Sequence, residues 1–499
     1  MIETWRPVLL PGQARVPSIG EEYESTAVLD ELRTTEYAYL DETAHVYLDY
    51  AGAGLPATAQ LRVHAERLRG GPFGDPHADG PAALESGRLV DQARDTVLAF
   101  FNADPDEYTV IFTPNATGAC RLVGEAYGFR PGSRLLLTSD NHNSVNGIRE
   151  YARRAGAKVG HIPPRPREMR VPDADVVRAL RRGERFSPRR WSRTGALRMP
   201  GRRGLFAYPA QSNFTGVRHP LEWIEIAQEH GYDVLLDAAA YVPANVLDLT
   251  AVHPDFVPVS WYKVFGYPTG VGCLIARHEA LERLRRPWFA GGSVQAASFR
   301  ADWAMLAGDE SAFEDGTLNF LSIPDVEAGI SWVSEIGMDV IHRRVTYLTG
   351  YLLERLRSLR HSDERPLVRL HGPLSTDMRG GIVAFNLLDP YGDAVDERIV
   401  ARDATAAGIS LRTGCFGNPG AGEFALGLDR RRVTAAIRQG PASADEYLEL
   451  FELPAAGVIR VSLGLVSTVG DVDRFTEFMQ GTYADRLHDL SGLQPRVRC

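Results

Sequence analysis

Apolar positions along this chain switch repeatedly between two periods. Short β-branched runs close in a polar or glycine-containing turn, and stretches with three-to-four-residue apolar spacing follow them. VYLDYAGAGLP (46–56) reads as a short strand ending in a Gly-rich turn, with a helix near 57–69 after it. Glycine and proline crowd 70–81, which predicts a loop, and a helix from about 82 to 101 leads into EYTVIFTPNATGACRLVGEAYG (107–128), a strand, a polar turn and a helix start. The same order recurs in RLLLTSDNHNSVNGIREYARRAG (134–156), GLFAYPAQSNFTG (204–216) and DVLLDAAAYVP (233–243). Such alternation predicts an α/β domain around a mostly parallel sheet, with functional groups gathered at the carboxyl ends of its strands.

The two ends of the chain follow other patterns. Residues 1–40 read as an arm carrying one amphipathic helix around 21–36. From about 322 a long helical stretch begins, followed by GGIVAFNLL (380–388), a helix near 394–407, VIRVSLG (458–464) and a last helix at 470–487, the make-up of a small α+β lobe. The expected division is an arm at 1–40, a large domain at 41–322, and a linker helix with a small C-terminal domain at 323–499. Residues 181–203 hold nine arginines against one acid and read as an exposed insertion, with a docking patch for an anionic partner as the alternative.

Composition narrows the class. With 499 residues and 44% hydrophobic content the chain can bury sizeable cores, which excludes a disordered or fibrous protein. No run approaches membrane-spanning length and the start lacks a basic segment followed by an apolar one, so a soluble cytoplasmic protein is expected. A net charge of −9 offers no general attraction to nucleic acid. Cys120, Cys273, Cys415 and Cys499 show no close pairing, so reduced thiols and no metal site are expected. Among 55 basic residues only Lys158 and Lys263 are lysines. Where arginine is the habitual cation, a surviving lysine raises the question of what an amine does that a guanidinium does not, and it bonds covalently to aldehydes.

Lys263 follows the β-type run of VPVSWYKVFGYPTGVG and precedes a Gly/Pro turn, which places its amine at a strand end; Lys158 reads as a surface residue. Asp237 closes the apolar strand DVLLD, as a helix cap or as a functional carboxylate. Together they are the minimum that pyridoxal 5'-phosphate (PLP) chemistry requires: a lysine for the aldehyde and a carboxylate for the pyridine nitrogen. TPNATG (113–118) offers backbone N–H groups and the Thr117 hydroxyl at a helix start for a phosphate. His142 suits stacking on a ring or a loop cap, and Asn213 suits the cofactor's 3'-oxygen or a turn.

In order, YLDYAGAG, FTPNATGA, TSDNHNSV, FAYPAQSNFTG, LLDAAAYVPANVLDL, DFVPVSWYKVFGYPTGVG, FEDGTLNFL, LRTGCFGNPGAG and IRVSLG resemble the class V aminotransferase group of PLP-dependent transferases of fold type I. Within that group they are most similar to the N-terminal, cysteine desulfurase-like domain of molybdenum cofactor sulfurases, over roughly 40–485. The resemblance implies Lys263 as the cofactor-bonded lysine, Asp237 at the pyridine nitrogen, His142 over the ring and Asn213 toward the 3'-oxygen. It implies Ala116 and Thr117 at the phosphate, with Thr317 reaching the partner's site in a homodimer, and Arg460, with Arg412 nearby, for the substrate carboxylate. Two positions depart from the family pattern. Gly417 stands where desulfurases carry the persulfide-forming cysteine, leaving Cys415 as a possible thiol, and Ala240 replaces a glutamine common in desulfurases. The function expected first is therefore carbon–sulfur β-elimination on an L-amino acid or cysteine conjugate. Aminotransfer or decarboxylative deamination, desulfuration or cofactor sulfuration through Cys415, and a non-catalytic PLP-binding scaffold are the alternatives.

Overall fold

Seven strands form the main sheet of the computed structural model, which describes residues 21–181 and 204–496. From edge to edge they are Tyr108–Thr113, Gly272–Arg277, Phe256–Ser260, Tyr232–Asp237, Gly204–Pro209, Arg134–Thr138 and Lys158–Ile162. Four of the six pairings are parallel; the two made by Gly272–Arg277 are antiparallel. The expected mostly parallel sheet is present. Its central strands are buried along their length, as a sheet covered on both faces requires. Alternate residues feed two cores: Val110, Leu136, Phe206, Val234 and Val257 on one face, Ile111, Leu135, Leu205, Leu235 and Leu274 on the other.

A second, antiparallel sheet orders Val368–His371, Ile382–Leu387, Val458–Ser462 and Arg412–Gly414. Its core gathers Phe385, Val461, Leu352, Leu356 and Phe475, and also Val46 and Leu48 from the start of the described chain. Val46 pairs in parallel with Ile409, and Ser462 N donates to Leu48 O (2.7 Å). The Gly-rich turn after Tyr50 therefore leaves from the small sheet and arrives at the large one.

Two expected helices are broken. The stretch from 322 forms Pro324–Ile336 and Met338–Ser358, separated by Gly337 at φ +93°, so that Val326, Ile330 and Val333 join the large core while Leu348, Leu352 and Leu356 join the small one. The helix expected over 21–36 is split into Glu21–Glu24 and Val28–Glu36, with buried Arg344 donating to both Oγ1 and O of Thr26 (2.8 Å each) between them. Arg344 also pairs with Asp30 (2.8 Å) and lies over the Tyr23 ring at 4.0 Å, and Arg33 pairs with Asp471 (2.7 Å). These charged contacts are local detail that spacing along the chain does not carry.

The arginine-rich insertion lies outside the described residues apart from Arg181, as do residues 1–20 of the arm and Cys499. No helix among the described residues is long and apolar enough to cross a membrane. Gly329 faces the Phe265 ring so closely that an added Cβ would lie 2.2 Å from Cε2 and 2.3 Å from Cδ2. Gly329→Ala is therefore expected to cost about 1–3 kcal/mol by overpacking, read as a lowered urea midpoint; an unchanged midpoint would show that the helix and the lysine-bearing turn are not locked together.

Candidate active site

Lys263 stands on the single turn Trp261–Phe265 directly after the strand Phe256–Ser260. Trp261 and Phe265 are buried and stacked (5.7 Å between ring centroids, 14° between planes), which anchors the turn from below. Gly266 ends it at φ +80°, where a Cβ would strike the backbone of Leu55 and Pro56, and Gly54 N donates to Tyr262 O (2.9 Å). The amine lines a recess with Ala239, Ala240, Gln211, Tyr50 and Ser462, and it has no hydrogen-bond partner among the described residues. Removal from water lowers its pKa below the ordinary lysine value; the Asp237 charge opposes that shift, and Arg460 and Arg412 add to it.

Asp237 ends the neighbouring strand, buried, with Oδ1 accepting from Ala239 N (3.1 Å). Only the short 3₁₀ turn Val242–Ala244 follows, so the carboxylate caps a bend rather than an α-helix and leaves Oδ2 without a partner among the described residues. His142 caps Asn143–Asn146. Its Nδ1 accepts from Ser144 N (3.2 Å), which fixes the neutral ring with the proton on Nε2. Burial depresses its pKa, with the positive Lys263 and Arg460 assisting and Asp237 opposing.

Further residues complete the group, and several were not singled out from sequence. Ser144 Oγ lies 2.9 Å from His142 Nδ1 and 2.7 Å from Thr117 Oγ1, joining the two expected site residues through a third. Ala116 N, at the start of the helix Ala116–Ala126, donates to Ser260 Oγ (2.9 Å), and Asn115 caps that helix through Gly118 N (3.0 Å). The signal for Ser260 was its place three residues before Lys263. Asn213 is held by the 416–418 loop: Nδ2 donates to Phe416 O (2.9 Å) and Oδ1 accepts from Asn418 Nδ2 (2.9 Å). Arg460 is buried in the strand Val458–Ser462; its guanidinium lies 4.8 Å from the Phe416 ring centroid, NH1 donates to Asn213 O (3.0 Å), and NH2 meets Asp49 Oδ1 (2.8 Å). Arg412 sits opposite Arg460 on the adjacent strand and grips Asp49 Oδ2 through Nε (3.0 Å) and NH2 (2.6 Å). Asp49 was missed, its only signal being an acid inside an otherwise apolar strand.

Thr317 does not join this group within one chain. It is exposed in an outer loop, where its hydroxyl donates to Asp75 (3.3 Å). Gly417, at φ +64°, faces His142: an added Cβ would lie 2.6 Å from Nε2, and Gly417 O accepts from Asn143 N (2.7 Å). Reduced thiols hold for Cys120 and Cys273, both free and buried, but not for Cys415, which is buried and disulfide-bonded. The fold commits that sulfur to a partner that spacing did not reveal. Ala240 contributes its carbonyl, which accepts from Gln211 Nε2 (2.7 Å), while Gln211 Oε1 is buried without a partner.

Residues 46–180 and 199–475 match the family model described as Aminotransferase class-V. The chain belongs to that family. It is 36% identical over 485 residues to the molybdenum cofactor sulfurase of Solanum lycopersicum, covering 94% of this chain and 59% of that protein. It is 35% identical over 489 residues to the molybdenum cofactor sulfurase of Homo sapiens, covering 92% of this chain and 52% of that protein. The chain thus spans little more than half the length of these curated relatives. Among solved structures, the apo cysteine desulfurase of Thermococcus onnurineus NA1 shares the fold with a TM-score of 0.70 and 22% identity, over 91% of this chain and 98% of that one.

Membership makes this chain a PLP-dependent enzyme, and its residues fit that cofactor. An unpartnered amine, a buried carboxylate with a free oxygen, a ring with an acceptor-fixed tautomer and a capped helix start with two hydroxyls converge on one strand edge. The purified protein is expected to carry a yellow colour that borohydride bleaches. Lys263→Ala should lose that reducible colour, measured by absorbance before and after borohydride, and a variant equally reducible would reassign the lysine.

Proposed function

We propose that this chain is a carbon–sulfur lyase, cleaving L-cysteine or an S-substituted L-cysteine by β-elimination. The observation that supports it is Gly417: the loop facing His142 presents bare backbone where sulfur transfer needs a thiol, and Cys415 is already bonded. A position where a Cβ would crowd the His142 ring at 2.6 Å holds no acceptor for sulfur, so the sulfur leaves as a thiol.

When bound, PLP supplies an electron sink for negative charge at the substrate Cα. Lys263 would bond its aldehyde, and the same amine, with its pKa lowered by burial, would be the base that takes the proton from the substrate Cα. Asp237, whose Oδ2 has no partner among the described residues, would hold the pyridine nitrogen. His142 would cover the ring, Ala116, Thr117 and Ser260 would hold the phosphate, and Asn213 would brace the 3'-oxygen side. Arg460 holds the substrate carboxylate. The Cα–H bond breaks with its proton passing to Lys263, the Cβ–S bond breaks with its electron pair leaving on sulfur, and hydrolysis of the remaining three-carbon fragment gives pyruvate and ammonium. The large domain at 41–322 would supply Lys263, Asp237, His142 and Asn213, and the linker helix with the small domain at 323–499 would supply Arg460.

The test is incubation of the holoenzyme with L-cysteine and S-methyl-L-cysteine while sulfide or thiol, pyruvate and alanine are assayed. Equal amounts of pyruvate and thiol are expected. Alanine with a protein persulfide would instead give desulfuration, the reading favoured by the likeness to molybdenum cofactor sulfurases. No turnover of either compound would move the reading to aminotransfer or decarboxylation.

The enzyme is further read as a cytoplasmic homodimer in which Thr317 of one subunit reaches the phosphate of the other. Thr317 lies outside its own chain's site, and the nearby hairpin Val294–Ser298 with Trp303–Leu306 exposes Phe299 completely and Trp303 by half. Sedimentation at micromolar concentration is expected to give a dimer, weakened by Phe299→Asp with Trp303→Asp. A monomeric, fully active species would remove the shared site.

A further inference from the structure

Arg460 offers a ligand little that is not already taken. NH1 donates to Asn213 O, NH2 to Asp49 Oδ1, one face lies over Phe416, and Nε is buried without a partner. A carboxylate arriving at this guanidinium meets another carboxylate already there.

That internal carboxylate is rigidly placed. Leu48 O accepts from Ser462 N (2.7 Å) and Ala51 N donates to Ser462 Oγ (2.8 Å), so the strand end carrying Asp49 is pinned on both sides. Below it the backbone is bare: a Cβ on Gly52 would lie 2.5 Å from both Arg412 NH2 and Asp49 Oδ2. The two oxygens of Asp49 are used unequally. Oδ2 holds Arg412 through two donors, at 3.0 and 2.6 Å, whereas Oδ1 holds Arg460 through one, at 2.8 Å. Arg412 is half exposed, while the side chains of Asp49 and Arg460 are 14% and 4% exposed.

We propose that Asp49 is a specificity-determining residue that competes with the ligand carboxylate for Arg460, and that Arg412 anchors Asp49 instead of binding the ligand. Giving up the Oδ1 contact does not strand a buried charge, because Oδ2 keeps Arg412. Arg460, Arg412 and Asp49 sum to a single positive charge, which matches one carboxylate. In this arrangement Arg412 acts on the ligand through Asp49 alone. The proposal rests on the reading of Arg460 as the carboxylate-binding arginine.

The experiment titrates the holoenzyme calorimetrically with 3-(methylthio)propionate, which carries the carboxylate and thioether but no amino group to react. Asp49→Asn, nearly isosteric, is expected to bind it at least about threefold more tightly, the scale of a partly exposed ion pair. Arg412→Gln leaves Asp49 wholly to Arg460 and is expected to weaken binding by a similar factor in the native background, with no effect in the Asp49→Asn background. Unchanged or weaker binding by Asp49→Asn overturns the competition. An equal loss from Arg412→Gln in both backgrounds shows Arg412 touching the ligand and overturns its anchoring role. Binding that survives Arg460→Gln overturns the carboxylate reading itself, whatever the other two variants do.

Discussion

A lysine amine taken out of water at the edge of a parallel sheet is the constraint around which this molecule is built. Desolvation disfavours the charged form, and the carboxylate of Asp237, one strand away, offsets part of that cost while Arg460 and Arg412 add to it. Much of the neighbouring structure holds that amine in place. The Trp261 and Phe265 rings wedge the turn from beneath, Gly329 lets the helix Pro324–Ile336 press on Phe265, and the segment around Gly54 closes over the turn by hydrogen-bonding Tyr262. An apolar floor leaves the amine only the upper side, where the strand ends open.

The small lobe acts on the site through charge. Arg460 reaches from its sheet to Asn213 and Asp49, and the loop after Arg412 returns to the large lobe through Asn418, whose amide bonds both Asp140 O (2.6 Å) and Asn213 Oδ1 (2.9 Å). Gly417 and His142 meet at that seam. The 416–418 loop and the strand carrying Arg460 are thus tied to the segments bearing His142 and Asn213 through a few buried polar groups, each of which would be costly to leave unmatched. The turn that brings Gly417 over His142 carries Cys415 into the interior against Gly422.

The parallel sheet and the strand-end placement of Lys263, Asp237, His142 and Asn213 were readable because they depend on local alternation between periods. Asp237 closes a β-type run and Lys263, His142 and Asn213 follow theirs within four residues, and a run of that kind in a two-face-covered sheet fixes which end its polar residues occupy. Lysine was legible for a compositional reason as well, since arginine fills nearly every other cationic position. Helix breaks at Thr26 and Gly337 were not, because the first depends on an arginine more than three hundred residues away and the second on which of two cores each half faces.

By itself, then, the sequence determined the fold class and the cofactor class and pointed to candidate residues such as Lys263 and Asp237, since those follow from residue type, short-range pattern and motif order. Only the tertiary structure decided how the side chains share one another. It gave Asp49 to two arginines, Ser260 to Ala116, Ser144 to both His142 and Thr117, and Cys415 to a disulfide. The pairings of Asp49 with Arg412 and Arg460, of Ser260 with Ala116 and of Ser144 with Thr117 join segments dozens to hundreds of positions apart, where a hydrogen bond or ion pair is settled by distances of a few tenths of an ångström that no spacing along the chain encodes.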